Sequence, residues 1–452
     1  MKQFSKDFRS SWGIALALLV LLVAPSLATA TEPASTDRVP QRILLGVTRD
    51  PAHSQTVTWR TDTPVEAPQA QIAPWTGSPK FGNEAITVQA KSAEFTTGAG
   101  EKVTHYEATF TGLEASKRYG YRVGDGAVWS EWFLIHTAGA NSDPFNFIYL
   151  GDAQVDVKSL WSRTAREAFK SAPDASLVLY AGDLINNGYD DHLWGELCSG
   201  LGFIGSMVSN LPAVGNHDMN VPDGSPTLPV AAHPLWKAHF ALPQNGPADA
   251  PMLEDEACWV DYQGVRFITL EANAYSPEEY DPSTRKIVQE KQIAWLEGVL
   301  RNNPNRWTIM LHHEPMYGVG RNPDNPQIRD AFLPLYDKYK VDLVLQGHDH
   351  VYARSHKLNA GKPVADNAAG TVYVVSVSGP KMYAFNPMYA DLMAKTLTDT
   401  QLYQIVNVTN DSVQLNTYSV GGEWVDGFAL QKDKDGNSTL TELSGPTDTP
   451  SK

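Results

Sequence analysis

Five apolar runs in this chain stop in the same way, on side chains that ligate metals. The run at 145–150 ends in Gly151-Asp152-Ala153-Gln154, and the run at 176–181 in Gly182-Asp183-Leu184-Ile185-Asn186-Asn187. The run at 211–214 ends in Gly215-Asn216-His217-Asp218, and that at 306–311 in His312-His313-Glu314-Pro315. The run at 341–346 ends in Gly347-His348-Asp349-His350. Short runs rich in β-branched residues read as buried strands. Helical stretches at 157–171, 190–208, 286–302 and 327–339 separate them, with a further strand at 265–270. Strand–helix alternation predicts an α/β layered fold. In open α/β sheets, ligands bind at the carboxyl edge of the strands. The five motifs are therefore predicted to meet at one edge.

Each motif alone has an ordinary explanation. Aspartate after a strand is often a helix N-cap, and Asn-His-Asp can be a turn. Five such motifs at the same place relative to five strands argue instead for a metal site. Carboxylate and amide oxygens suit hard ions, and imidazole suits borderline ones. Two cations held close together need a bridging carboxylate. Such a pair can activate water and clamp the oxygens of a phosphoryl group.

The remaining sequence falls into blocks around this core. Residues 1–30 read as a cleavable export signal: Lys2, Lys6 and Arg9 lead, Gly13 to Ala24 is apolar, and Ala28-Thr29-Ala30 fits a cleavage site after Ala30. The apolar run is short for a membrane anchor. No other stretch reads as a membrane span. The expected location is secreted or periplasmic, where Cys198 and Cys258 could be a disulfide or two thiols.

Residues 31–39 read as a Pro/Ser/Thr linker. Residues 40–138 hold alternating runs such as Thr56-Val57-Thr58-Trp59-Arg60 and Tyr119-Gly120-Tyr121-Arg122-Val123, which predict an all-β sandwich. The catalytic block is expected over 144–431, with 219–257 as an insertion near the site rather than core. A disordered polar tail is expected over 432–452. Asp433-Lys434-Asp435-Gly436-Asn437 fails as an EF-hand, because Ser438 and Ser444 stand where glycine and glutamate are needed. No Gly-x-Ser-x-Gly elbow ends a strand, which argues against a serine hydrolase. The formal charge of −15 makes the chain a poor partner for nucleic acid or anionic membrane. Anion chemistry then requires local positive charge, which bound metals supply.

Taken together, the order Asp-x-x, Gly-Asp-x-x, Gly-Asn-His-Asp, His-x-Pro, Gly-His-x-His resembles the calcineurin-like metallophosphoesterases. Gly347-His348-Asp349-His350-Val351-Tyr352-Ala353-Arg354-Ser355 resembles the extended last motif of the purple acid phosphatases. The β-block, with Trp129-Ser130-Glu131-Trp132-Phe133, is similar to their fibronectin-III-like N-terminal domain. The likeness covers roughly Val39 to Gly379. It implies a layered β-sandwich flanked by helices, behind an N-terminal β-sandwich domain. It also implies two metal ions, a small phosphorylated substrate, and hydrolysis of phosphate monoesters by a metal-activated hydroxide. Diesters or nucleotides on the same site, or a non-catalytic relict, are the alternatives.

Carried over, the resemblance gives Asp152 and His350 to the first metal, Asp183 to both, and Asn216, His313 and His348 to the second. His217 matches the phosphate-contacting acid. The family tyrosine three residues after the bridging aspartate is here Asn186, so Fe(III) and a purple colour are not expected; divalent Zn, Mn or Fe is. Tyr189 is a weak substitute for that tyrosine. Gln154 stands where many relatives carry a histidine. Gln154, Asn186, His312, Tyr352 and Arg354 are further candidates at or behind the metals. Glu314, His192, His233 and Tyr317 are candidates for the surroundings.

Overall fold

The computed structural model describes residues 36–221, 227–276, 280–321 and 324–446. The export signal expected at 1–30 lies outside the described residues. Among the described residues, no helix is long and apolar enough to cross a membrane.

Two sheets packed face to face form the heart of the molecule. The first contains the parallel strands Phe145–Leu150, Leu177–Tyr180 and Ser209–Pro212. The second contains the parallel strands Val265–Thr269, Trp307–Leu311, Leu343–Gln346 and Val372–Val375. Every residue of these strands is buried except Ser209, as expected for parallel strands covered on both faces. Aromatic rings fill the space between the sheets. Phe147 meets Phe267 edge-on at 5.3 Å, and Phe145 lies 4.9 Å from Tyr262.

Helices Ser162–Ser171 and Asp191–Leu201 serve the first sheet, and Pro282–Arg301 and Pro326–Tyr339 the second. Local sequence starts the third of these. The Asp281 carboxylate accepts from the amides of Ser283 and Thr284, and Pro282 occupies the first turn, where no amide donor is needed.

The first sheet does not stop at the catalytic strands. Ser209–Pro212 pairs in parallel with Gln41–Gly46, so strands of the N-terminal sandwich continue the same eleven-stranded sheet. Gln69–Pro74, Arg118–Gly124, Phe133–His136 and Ile86–Gln89 form the sandwich's other sheet. Charge and hydrogen bonds close the joint. Arg42 and Arg60 both bind Asp191, and the Tyr121 hydroxyl donates to the Ser206 carbonyl at 2.6 Å.

Two expectations fail here. The described part of 219–257 is not peripheral: its helix Pro234–His239 buries Leu235 and Trp236 completely and packs on the sandwich strands. Its proline and glycine content marks turns around that helix and gives no information on burial. The tail is not disordered through 446 either. Asp433 accepts from the amides of Asp435 and Asn437, which makes the EF-hand-like stretch a hairpin turn. Ser438–Glu442 then adds an edge strand to Trp424–Lys432, with Leu440 buried beneath it. Cys198 and Cys258 are two free thiols.

Candidate metal centre

The carboxyl ends of the two sheets converge, and the turns leaving them are unusual. Asp152, Gln154, Asp183, His348 and His350 all have positive φ, between 26° and 67°. Each such residue with a Cβ costs about 1 kcal/mol or more, so a run of them marks a backbone held for its side chains. Two glycines make the close packing possible. A Cβ on Gly215 would lie 2.2 Å from Asp183 Oδ1, and one on Gly347 would lie 2.5 Å from Asp152 Oδ2.

The turns bring Asp152, Asp183, Asn216, His313, His348 and His350 together. Two groups form and share one carboxylate. Asp183, His313 and His348 place ligand atoms within 4.8 Å of one another, and so do Asp152, Asp183 and His350. Asn216 belongs with the first group: its Oδ1 lies 3.1 Å from His313 Nε2 and 3.2 Å from His348 Nδ1. His313 Nε2 lies 3.3 Å from Asp183 Oδ1.

Hydrogen bonds aim these ligands. His313 Nδ1 donates to the Ala181 carbonyl at 2.7 Å, which turns Nε2 into the cluster. His350 Nδ1 donates likewise to the Lys381 carbonyl at 2.7 Å. Asp152 accepts from the His348 amide at 2.8 and 2.9 Å, and Asp183 accepts from the His217 amide at 2.9 Å. Gln154 Nε2 reaches Asp183 Oδ2 at 3.3 Å. Outer contacts of this kind are what orient ligands in metal sites.

The donor set fits cations. Nε2 of His313 lies within 3.3 Å of oxygens of both Asn216 and Asp183, a gathering of electron-pair donors, and buried carboxylates need a positive partner. Without one, His313 serves: burial opposes its charge, but Asp183, Asp152 and Glu314 hold the imidazole well above its usual range. Burial pushes His348 and His350 down to about 3, so both imidazoles are neutral and ready to ligate. Burial lifts Glu314 to about 7; its Oε1 lies 3.5 Å from His348 Nδ1 and is otherwise orphaned.

Other candidates lie elsewhere. His312 turns away, bonding the Glu314 carbonyl and packing against Phe332 and Tyr336. Tyr352 and Arg354 are also remote from the ligand groups. The strand Tyr352–Ser355 carries them away from the turn, where both bind Asp426 and Arg354 also binds Glu442. They tie the second sheet to the end of the first. Asn186 contributes its carbonyl, which accepts from His217 Nδ1 at 2.7 Å. Tyr189 packs edge-on against His233 and over Gly98, so it supplies no phenolate to the ligand groups. His233 accepts from the Leu235 amide, Tyr317 packs on Tyr373 and Tyr389, and His192 is exposed on its helix.

A cavity of about 260 Å³ opens onto the cluster, and His217 lines it. Sequence reasoning missed three of its other walls: Arg321, Lys381 and Tyr383. The signal for Lys381 was present, since Gly379-Pro380-Lys381 follows an apolar strand. Arg321 sits in an irregular loop with no such cue. Its position is set from the last motif: Asp349 accepts from the amides of Val319 and Gly320.

Residues 113–352 match the calcineurin-like phosphoesterase family model, and residues 40–137 match the purple acid phosphatase N-terminal domain. An uncharacterised Mycobacterium tuberculosis protein is 28% identical over 37% of this chain and 35% of its own length. The Fe(3+)-Zn(2+) purple acid phosphatase 12 of Arabidopsis thaliana is 26% identical over 55% of this chain and 51% of its own. The chain thus spans about a third to a half of the length of these curated relatives. The structure of a purple acid phosphatase from yellow lupin (Lupinus luteus) seeds superimposes with a TM-score of 0.73 at 18% identity, covering 88% of this chain and 75% of that one. The chain belongs to the calcineurin-like phosphoesterase family, in the branch that carries the purple acid phosphatase N-terminal domain.

Proposed function

We propose that this protein is an exported phosphatase that hydrolyses phosphate monoesters at a centre of two divalent cations. One observation carries the reading: two groups of candidate ligands, all buried except the half-buried His348, share Asp183. Asn216, His313 and His348 would hold one ion, Asp152 and His350 the other, and Asp183 would join them. Two such ions supply a water of lowered pKa and a clamp for phosphoryl oxygens.

The chain's own residues do the rest. His217 lines the cavity and its Nδ1 donates to the Asn186 carbonyl, so its imidazolium form would carry on Nε2 the proton given to the leaving oxygen. Lys381 and Arg321 place positive charge at the cavity of an acidic protein, where it attracts a phosphate dianion. The relative from Arabidopsis is named for iron and zinc, but here Asn186 stands in the tyrosine position and Tyr189 is engaged elsewhere. Zinc, manganese or ferrous iron without a phenolate band is therefore expected.

The test is turnover of 4-nitrophenyl phosphate beside bis(4-nitrophenyl) phosphate by zinc- or manganese-loaded protein. The monoester should be the better substrate, and His217→Ala should lower kcat by about a hundredfold. Preference for the diester would assign the site to phosphodiesters. Full activity in His217→Ala would remove that residue from the mechanism.

A further inference from the structure

A second cavity, of about 410 Å³, adjoins the metal cavity and shares two walls with it, Arg321 and Tyr383. Its other walls include Gly320, Phe385 and Pro387. We infer that this cavity is the leaving-group subsite, and that it selects phosphate monoesters whose leaving group carries a planar aromatic ring. The inference rests on the phosphatase reading above.

Three features support it. The first is continuity: Arg321 and Tyr383 wall both cavities, so a phosphate at the cluster would lie beside the second one. The second is chemistry. Phe385 is 43% exposed, and Tyr383 stands two residues before it on the same loop. A single exposed aromatic is ordinary, but here it lines a cavity that opens beside a polar site. Flat rings stack on flat rings, and the Arg321 guanidinium at the junction can pair with phosphate or lie over a ring.

The third feature is preorganisation. Asp349 pins the loop that carries Arg321 through the Val319 and Gly320 amides. The Asn386 amide donates to the Val319 carbonyl at 2.6 Å and joins that loop to the one bearing Phe385. The Tyr383 amide donates to the His350 carbonyl at 3.3 Å, and its ring lies 4.7 Å from the His350 ring. The subsite is thus built onto the last ligand motif, so little ordering remains to be done on binding.

The test compares kcat/KM for adenosine 5′-monophosphate, phenyl phosphate and glycerol 2-phosphate in zinc- or manganese-loaded wild type, Phe385→Ala and Phe385→Tyr. Thermal midpoints would verify that each variant is folded. Wild type should favour the two ring-bearing esters. Phe385→Ala should lower their advantage over glycerol 2-phosphate by about tenfold, through KM, while Phe385→Tyr keeps it. A response confined to phenyl phosphate assigns the cavity to aryl esters, and one confined to the nucleotide assigns it to nucleotides. An unchanged ratio in Phe385→Ala, or an equal loss in Phe385→Tyr, overturns the subsite and leaves the phosphatase reading standing. If wild type turns over no phosphate ester, both fall.

Discussion

The two halves of the candidate metal centre are built differently. One gathers two imidazoles and an amide around Asp183: His313, His348 and Asn216. The other gathers two carboxylates and one imidazole: Asp152, Asp183 and His350. The first, with two nitrogens among four donors, is the more nitrogen-rich and would suit borderline ions such as zinc; the second, with one among three, is the more oxygen-rich and would tolerate harder ones. Beside the second stands Gln154, whose Oε1 is buried without a partner. The difference teaches where selectivity lies. The first half offers four candidate ligands, whereas the second offers three, with the neutral amide of Gln154 beside them.

Breaking the element common to both halves should have the largest effect. Asp183→Asn is expected to reduce kcat on 4-nitrophenyl phosphate roughly a thousandfold or more, since it disturbs both ions at once. A loss of less than tenfold would mean that the two groups are not one centre. Taking the halves separately comes next. His348→Ala and His350→Ala should each cost about a hundredfold in kcat. High zinc should restore the two variants to different extents if the halves differ as described. Identical rescue curves would erase the distinction.

A substitution outside both halves sharpens the boundary. Arg354 is buried between Asp426 and Glu442. Arg354→Met leaves the Asp426 carboxylate buried without its cationic partner, with the Tyr352 hydroxyl still bonded, and should cost about 3–5 kcal/mol of stability. The activity of the molecules still folded should match wild type. A selective loss of kcat with an unchanged unfolding midpoint would return Arg354 to the site. The smallest effect is expected from Gln154→His, which adds an imidazole to the oxygen-rich half. It should tighten that half's zinc affinity by about tenfold, read by competition with a chelating dye.

The candidate ligands were legible in the sequence because each is of a ligating type and follows a strand. That rule places Asp152, Asp183, Asn216, His313, His348 and His350 on one edge without further information. It misleads for Tyr352 and Arg354. They follow His350 closely in the chain, but their antiparallel strand runs away from the edge. It also cannot separate His312 from His313, since which ring faces inward depends on the Ala181 carbonyl bonded to His313. Arg321, Lys381 and Tyr383 come from loops, where position is fixed by a few hydrogen bonds to the motif residues and not by any period. The fold was readable in the same measure. Buried strands gave themselves away by composition, while Leu235 and Trp236 were hidden among prolines and glycines. The continuation of the catalytic sheet into the sandwich rests on the pairing of Gly46 with Asn210, which no local pattern announces.

The most direct measurement is the number of ions each chain retains after loading with zinc or manganese and dialysis, read by elemental analysis. Wild type should hold two, His348→Ala and His350→Ala about one each, and Asp183→Asn fewer than either. Wild type that retains none, or Asp183→Asn that retains two, would contradict a pair of cations joined through Asp183.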